Sequence, residues 1–127
     1  MRHEHLIVRA ETNRTIDNLF DDLEHAFVRM IDDLNMKIVR GPDLWYCTDP
    51  KENEGWTVSA IINTSHVVLH TWTGTRVAQL DIYTCGELRM QPMIDFFLRL
   101  GGTSSLMYKW LDREKGLLLV KEGHVGY

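Results

Sequence analysis

The chain predicts an α+β fold, a two-layer sandwich in which a mainly antiparallel β-sheet carries two helices on one face. Three observations predict it. Apolar residues recur at three- and four-residue steps, at Ile16, Leu19, Phe20, Leu23, Phe27, Met30, Ile31 and Leu34, with acids on the intervening face; that period is an amphipathic helix. "RVAQLDIYTC" (76–85) alternates instead, with Ala78, Leu80 and Ile82 on one side and Gln79, Asp81, Tyr83 and Cys85 on the other, which is the period of a half-buried strand. Further short β-rich runs flank these segments, with no internal repeat and no low-complexity linker. The element order β-α-β-β-β-α-β-β then fits a sheet with helices gathered on one side.

Taken in order, "HLIVRA" (5–10) is a first strand, and the helix follows within 15–36. "KIVRGPDLWYCTD" reads as a strand broken by Gly41-Pro42, and "PKENEG" (50–55) is polar turn chemistry. From Trp56 to Trp72 the residues are β-rich, through Val58, Ile61, Ile62, Val67, Val68 and Leu69, with both tryptophans expected in the core. "TGT" (73–75) turns the chain into the alternating strand. A second helix is expected from about residue 91 to residue 100, with Pro92 in its first turn and Gly101-Gly102 ending it. "SLMYKWLD" and "GLLLVKE" form a closing hairpin through 113–116. The sheet face away from the helices needs a cover, and a second copy of the chain supplies one most simply, so a homodimer is expected.

At 127 residues the sequence fits one domain. Its charge of −4 and lack of any Lys/Arg block argue against nucleic acid or an anionic membrane as partner. "MRHEHLIVRAE" predicts no signal peptide, and no apolar run reaches the ~18 residues of a membrane span. Cys47 and Cys85 make neither a disulfide framework nor a CxxC zinc site, so a reducing, cytoplasmic setting is expected.

"NTSHVVLHTW" (63–72) stands apart, because Ser65, His66 and His70 interrupt an apolar run. Thr57, Ser65, His70 and Cys85 supply two hydroxyls, a base and a thiol within twenty-nine residues. A hydrolase reading is poor: there is no GxSxG elbow, and Ser65 is expected inside a strand. A zinc site from His66, His70 and Cys85 is possible on residue type, but residues i and i+4 of a strand lie about 13 Å apart, too far to chelate unless the strand is broken. His3 and His5 could be metal ligands on one strand face, but two histidines near a terminus are weak evidence, and no metal is predicted. Cys47 is expected to pack. A third class that could use these residues is self-cleavage at the serine.

Ser65-His66, His70-Thr71-Trp72 and Asp81-Ile82-Tyr83-Thr84-Cys85-Gly86, in that order and spacing, resemble the short prokaryotic S-adenosylmethionine decarboxylase proenzymes. "HLIVRAE", "GWTV" and "MYKWLDREKG" extend the similarity across nearly the whole chain. The resemblance implies cleavage between Thr64 and Ser65 into a β chain (1–64) and an α chain (65–127). Ser65 becomes a pyruvoyl group that holds substrate as a Schiff base; it is the self-derived cofactor. His70 is then the processing base, Thr57 the processing hydroxyl and Cys85 the proton donor. The active sites lie at a dimer interface with residues from both subunits. Alternation agrees with this, because Ser65 and His70, five apart, point to opposite faces of an unbroken strand.

Three positions depart from the family pattern. Thr64 stands where a Glu is usual, Thr73-Gly74 where Pro-Glu is usual, and Arg9 where the first strand usually carries Glu; the aromatic expected nearby is also absent. The resemblance implies decarboxylation of S-adenosylmethionine for spermidine synthesis, while these departures remove contacts to that substrate. The alternatives are arginine or ornithine as substrate, or a non-processing binding or regulatory relative.

Overall fold

The computed structural model describes residues 2–17 and 22–126. Strands β1 (Glu4–Thr12), β2 (Ile38–Cys47), β3 (Gly55–Ile62), β4 (Ser65–Thr71), β5 (Val77–Thr84), β6 (Thr103–Asp112) and β7 (Leu118–Gly126) join helices α1 (Leu23–Asp33) and α2 (Gln91–Arg99). The strands form one antiparallel sheet in the order β2-β3-β4-β5-β1-β6-β7. The α+β sandwich predicted from periodicity is the fold observed.

The core lies between the sheet and the two helices. Leu6, Val8 and Ala10 of β1, Val67 and Leu69 of β4, and Ala78, Leu80 and Ile82 of β5 meet Phe27, Met30, Met93, Phe96 and Phe97 from the helices. Burying one such Phe side chain contributes about 1.5–3 kcal/mol. The alternate residues of these strands face away from the helices. That open face includes exposed Ile7, Ile61 and Met107. Among the described residues no helix is long and apolar enough to cross a membrane.

Four expectations need correction. The apolar run 56–72 is a hairpin of two strands, giving seven strands rather than six. Its turn is Asn63-Thr64, with Ile62 paired to Ser65 across it and Thr64 at φ 51. Ser65 therefore opens a strand at a turn and is not inside one. The described part of α1 begins only at Leu23, after Asp22 at φ 62. Ile16 is buried outside that helix, exchanging backbone hydrogen bonds with the 73–75 turn (2.8 Å from its N–H to the Thr75 carbonyl and 2.8 Å from the Gly74 N–H to its own). Leu19 and Phe20 lie outside the described residues. β2 is bent rather than broken: its pairing with β3 shifts register around Gly41, which sits at φ 102. Trp56, half-buried, packs against the core, whereas Trp72, also half-buried, is not part of it. Trp56 stacks on Tyr46 with ring centroids 5.0 Å apart, whereas Trp72 lies 6.3 Å from the His70 ring. Cys47 is half-buried, its thiol donating to the Asp49 carbonyl at 3.4 Å.

The second helix and the closing hairpin agree with expectation. α2 carries Pro92 in its first turn, and Gly101 and Gly102 end it at φ 103 and 86, a backbone that glycine adopts at no steric cost.

Gly55 allows a close approach that matters for the site. A Cβ there would stand 1.8 Å from the Thr71 carbonyl oxygen, so β3 and β4 could not come together as they do around Thr57. Gly55→Ala is expected to destabilise the fold by at least about 1–3 kcal/mol, the usual cost of overpacking. Thermal unfolding checks this, and an unchanged midpoint would contradict the packing described.

Candidate active site

The β4–β5 register pairs His66 with Tyr83, so the next step along brings Ser65 to the end of β5, beside Cys85. Ser65 is 8% exposed. Its Oγ accepts a hydrogen bond from the Cys85 backbone N–H at 3.1 Å. The Cys85 thiol donates to the carbonyl of Thr64 at 3.3 Å. One residue thus contacts both groups that a Ser65 attack on the preceding carbonyl involves, the hydroxyl oxygen and the carbonyl oxygen. A hydroxyl oxygen held by a donated N–H keeps its own hydrogen for a base.

The peptide between those atoms is strained. A β-branched residue at positive φ is a backbone outlier, and the left-handed region costs a non-glycine residue about 1–2 kcal/mol. Thr64, at φ 51 in the turn just before β4, is such a residue.

A cavity of about 380 Å³ opens at this point, lined by Ile61, Ile62, Thr64, Ser65, His66, Tyr83 and Arg113. The Arg113 guanidinium stacks 4.2 Å above the Tyr83 ring. Desolvation, with the neighbouring Cys85 thiol adding to it, raises the Tyr83 phenol above its ordinary value. Tyr83 therefore stays a neutral hydrogen-bonding group beside Cys85 at physiological pH.

Thr57 and His70 form a second, separate cluster. They face each other across β3 and β4, with Thr57 Oγ1 2.9 Å from His70 Nδ1. Five paired positions separate them from the Ile62–Ser65 pair; at ~3.4 Å per residue that is about 17 Å along the hairpin. The faces differ too. Ser65 shares the helix-covered face with buried Val67 and Leu69, whereas exposed His70 lies on the open one. The four residues singled out in the sequence thus fall into two half-sites within one chain, Ser65 with Cys85 and Thr57 with His70.

Two features escape sequence reading. Trp45 pairs with Thr57 across β2 and β3 and is 71% exposed, so a broad aromatic does lie beside Thr57 and His70. Only the strand register reveals it. In addition, although the sequence predicts no metal site, His5, His66 and Asp81 converge from β1, β4 and β5. His3 does not join them; its Nδ1 meets Glu114 at 2.9 Å.

Residues 6–114 match the family model described as S-adenosylmethionine decarboxylase. The chain belongs to the S-adenosylmethionine decarboxylase family. One relative is the arginine decarboxylase proenzyme of Pyrobaculum arsenaticum (strain DSM 13514 / JCM 11321 / PZ6), 42% identical over 45 residues. That alignment takes in 35% of this chain and 33% of the relative, so the match spans about a third of that protein's length.

Proposed function

We propose that the chain is a self-processing, pyruvoyl-dependent decarboxylase that cuts itself between Thr64 and Ser65. The observation that carries this reading is the double hold of Cys85 on the Ser65 hydroxyl and the Thr64 carbonyl. Ser65 Oγ adds to the Thr64 carbonyl carbon, the C–N bond breaks, and the leaving nitrogen takes up the hydroxyl proton, leaving an ester and a free amine. Strain at Thr64 is relieved in that step, and the carbonyl oxygen, as it gains charge, is met by the Cys85 thiol. A base then removes the Ser65 α-proton, and the Thr64 carboxylate departs with the C–O electron pair. The dehydroalanine left at residue 65 exchanges its nitrogen for a water oxygen and releases ammonia. The products are 1–64 and a pyruvoyl-capped 65–127.

The surroundings of Ser65 fit such a group: a cavity beside it, the Cys85 N–H on its oxygen, and a thiol within reach. A pyruvoyl carbonyl takes up the substrate amine and drains the electron pair that CO₂ leaves behind. Cys85 returns a proton to the substrate carbon.

The base is His70 of a second copy, held by the Thr57 hydroxyl. A homodimer packed through the open sheet faces sets the Thr57–His70 half-site of one protomer against the cavity beside Ser65 of the other, whose lining residues Ile61, His66 and Tyr83 lie on that same open face. The exposed Ile7, Ile61 and Met107 on that face favour such burial. Trp45 offers the substrate a flat surface for stacking at the same half-site, which favours S-adenosylmethionine, the aminopropyl precursor for spermidine. Arginine is the second reading, favoured by the Pyrobaculum relative. Two half-buried free thiols suit a reducing, cytoplasmic setting.

Release of CO₂ from S-adenosylmethionine, arginine and ornithine tests the activity and its substrate. In Cys85→Ala the backbone N–H on Ser65 remains, so cleavage is expected to slow only about two- to fivefold, the weight of one S–H···O contact. Turnover should fall by roughly 10²–10⁴, the usual share of a positioned proton donor. Parent-level CO₂ release in Cys85→Ala would remove that residue from the chemistry.

A further inference from the structure

We propose that His5, Asp81 and His66 form a binding site for one divalent transition-metal ion, such as Zn²⁺ or Co²⁺, on the open face of the sheet. Three adjacent strands build it. His5 and His66 flank Tyr83 from either side, in register across β1, β5 and β4. Asp81 lies two residues back along β5 on the same face. Both imidazoles aim at one carboxylate oxygen, with His5 Nε2 at 2.7 Å and His66 Nε2 at 3.2 Å from Asp81 Oδ1. The three donor atoms all lie within 4.8 Å of one another.

The donor set selects the ion. Two imidazoles and a carboxylate suit Zn²⁺, Co²⁺ or Ni²⁺, whereas Mg²⁺ and Ca²⁺ take oxygen ligands. Tetrahedral bonds of ~2.0–2.1 Å set ligand atoms about 3.4 Å apart. Both observed separations are within about 0.7 Å of that spacing, a gap that small side-chain rotations close. In the single protomer the fourth position is left to water, on the side where Asp81 and His66, with side chains 39% and 37% exposed, face outward. His5, at 16%, closes the inner side. Each neutral ring offers its Nε2 lone pair by moving its proton to Nδ1, so binding to the neutral rings releases no proton.

The cations nearby are engaged elsewhere. Arg113 lies over the Tyr83 ring and Arg9 bonds Glu11. Among the described residues the ion pairs of Asp81 are those with His5 and His66. The Asp81 carboxylate is therefore contacted by two groups that are metal ligands and, among the described residues, by no lysine or arginine. The site is independent of whether Thr64–Ser65 is cut, although an ion there would clip β1, β4 and β5 together one residue from Ser65.

Titration of tag-free, EDTA-treated protein with Co²⁺, followed by visible absorption and equilibrium dialysis, tests the assignment. The expected result is one Co²⁺ per chain, with ligand-field bands that Zn²⁺ abolishes. His5→Ala and His66→Gln should bind at least tenfold more weakly, while His124→Ala, on the same face in β7, should bind as the parent does. Melting separates lost ligation from lost folding: Zn²⁺ should raise the midpoint of the parent and leave that of folded His66→Gln unmoved. Sub-stoichiometric binding by the parent, or equal affinity in the parent and both ligand variants, would overturn the proposal.

Discussion

Ser65→Ala is expected to persist as one uncut chain under conditions in which the parent separates into two. The substitution removes the only atom able to attack the Thr64 carbonyl from within the turn. It leaves the Thr64 backbone, the Cys85 thiol and the Thr57–His70 pair unchanged. The structural cost is the Cys85 N–H, which loses its acceptor; one part-buried unpaired donor costs about 1–3 kcal/mol. The remaining core, from Phe27 to Phe97, is untouched, so the variant should fold. Denaturing electrophoresis over a long incubation checks the outcome, and cleavage at the parent rate would exclude Ser65 as the nucleophile.

The second large effect concerns His70. His70→Ala alone should also fail to cut, yet it should cut when co-expressed with Ser65→Ala. The reason is the ~17 Å between the half-sites of one chain and their placement on opposite faces. A mixed dimer contains one complete site, with Ser65 and Cys85 from the His70→Ala chain and Thr57 and His70 from the Ser65→Ala chain. Only the His70→Ala chain should be cleaved, and differential tagging reads that directly. His70 is exposed, so its loss should alter stability by no more than about 0.5 kcal/mol. Failure of the mixture to cut, with both variants folded and dimeric, would rule out a base supplied by the partner.

Much of the sandwich could be read from local pattern. The alternation of Ala78, Leu80 and Ile82 with Gln79, Asp81 and Tyr83 reports burial directly, and Pro92 and Gly101-Gly102 bracket α2 through backbone chemistry alone. The hairpin in 56–72 was less visible. Apolar residues on both sides of Asn63-Thr64 hide the turn, and no glycine marks the positive φ that Thr64 adopts. The start of α1 was misjudged because Ile16 keeps the helical period while its burial comes from the 73–75 turn. The reactive letters Ser65, His70, Cys85 and Thr57 stood out by type, but their division into two half-sites depends on strand pairing. Trp45 beside Thr57, and His5 beside Asp81 at a separation of 76 residues, are likewise products of register, which one strand's sequence does not encode.

The central claim is that the Thr64–Ser65 bond cuts itself and turns Ser65 into a pyruvoyl group. Intact-mass measurement of the purified parent chain tests it most directly. Two species are expected, 1–64 ending in a free carboxylate and 65–127 lacking a free amino terminus, with masses summing to the precursor plus one water minus one ammonia. A single uncut chain after long incubation, or two fragments summing to the precursor plus one water alone, would contradict it.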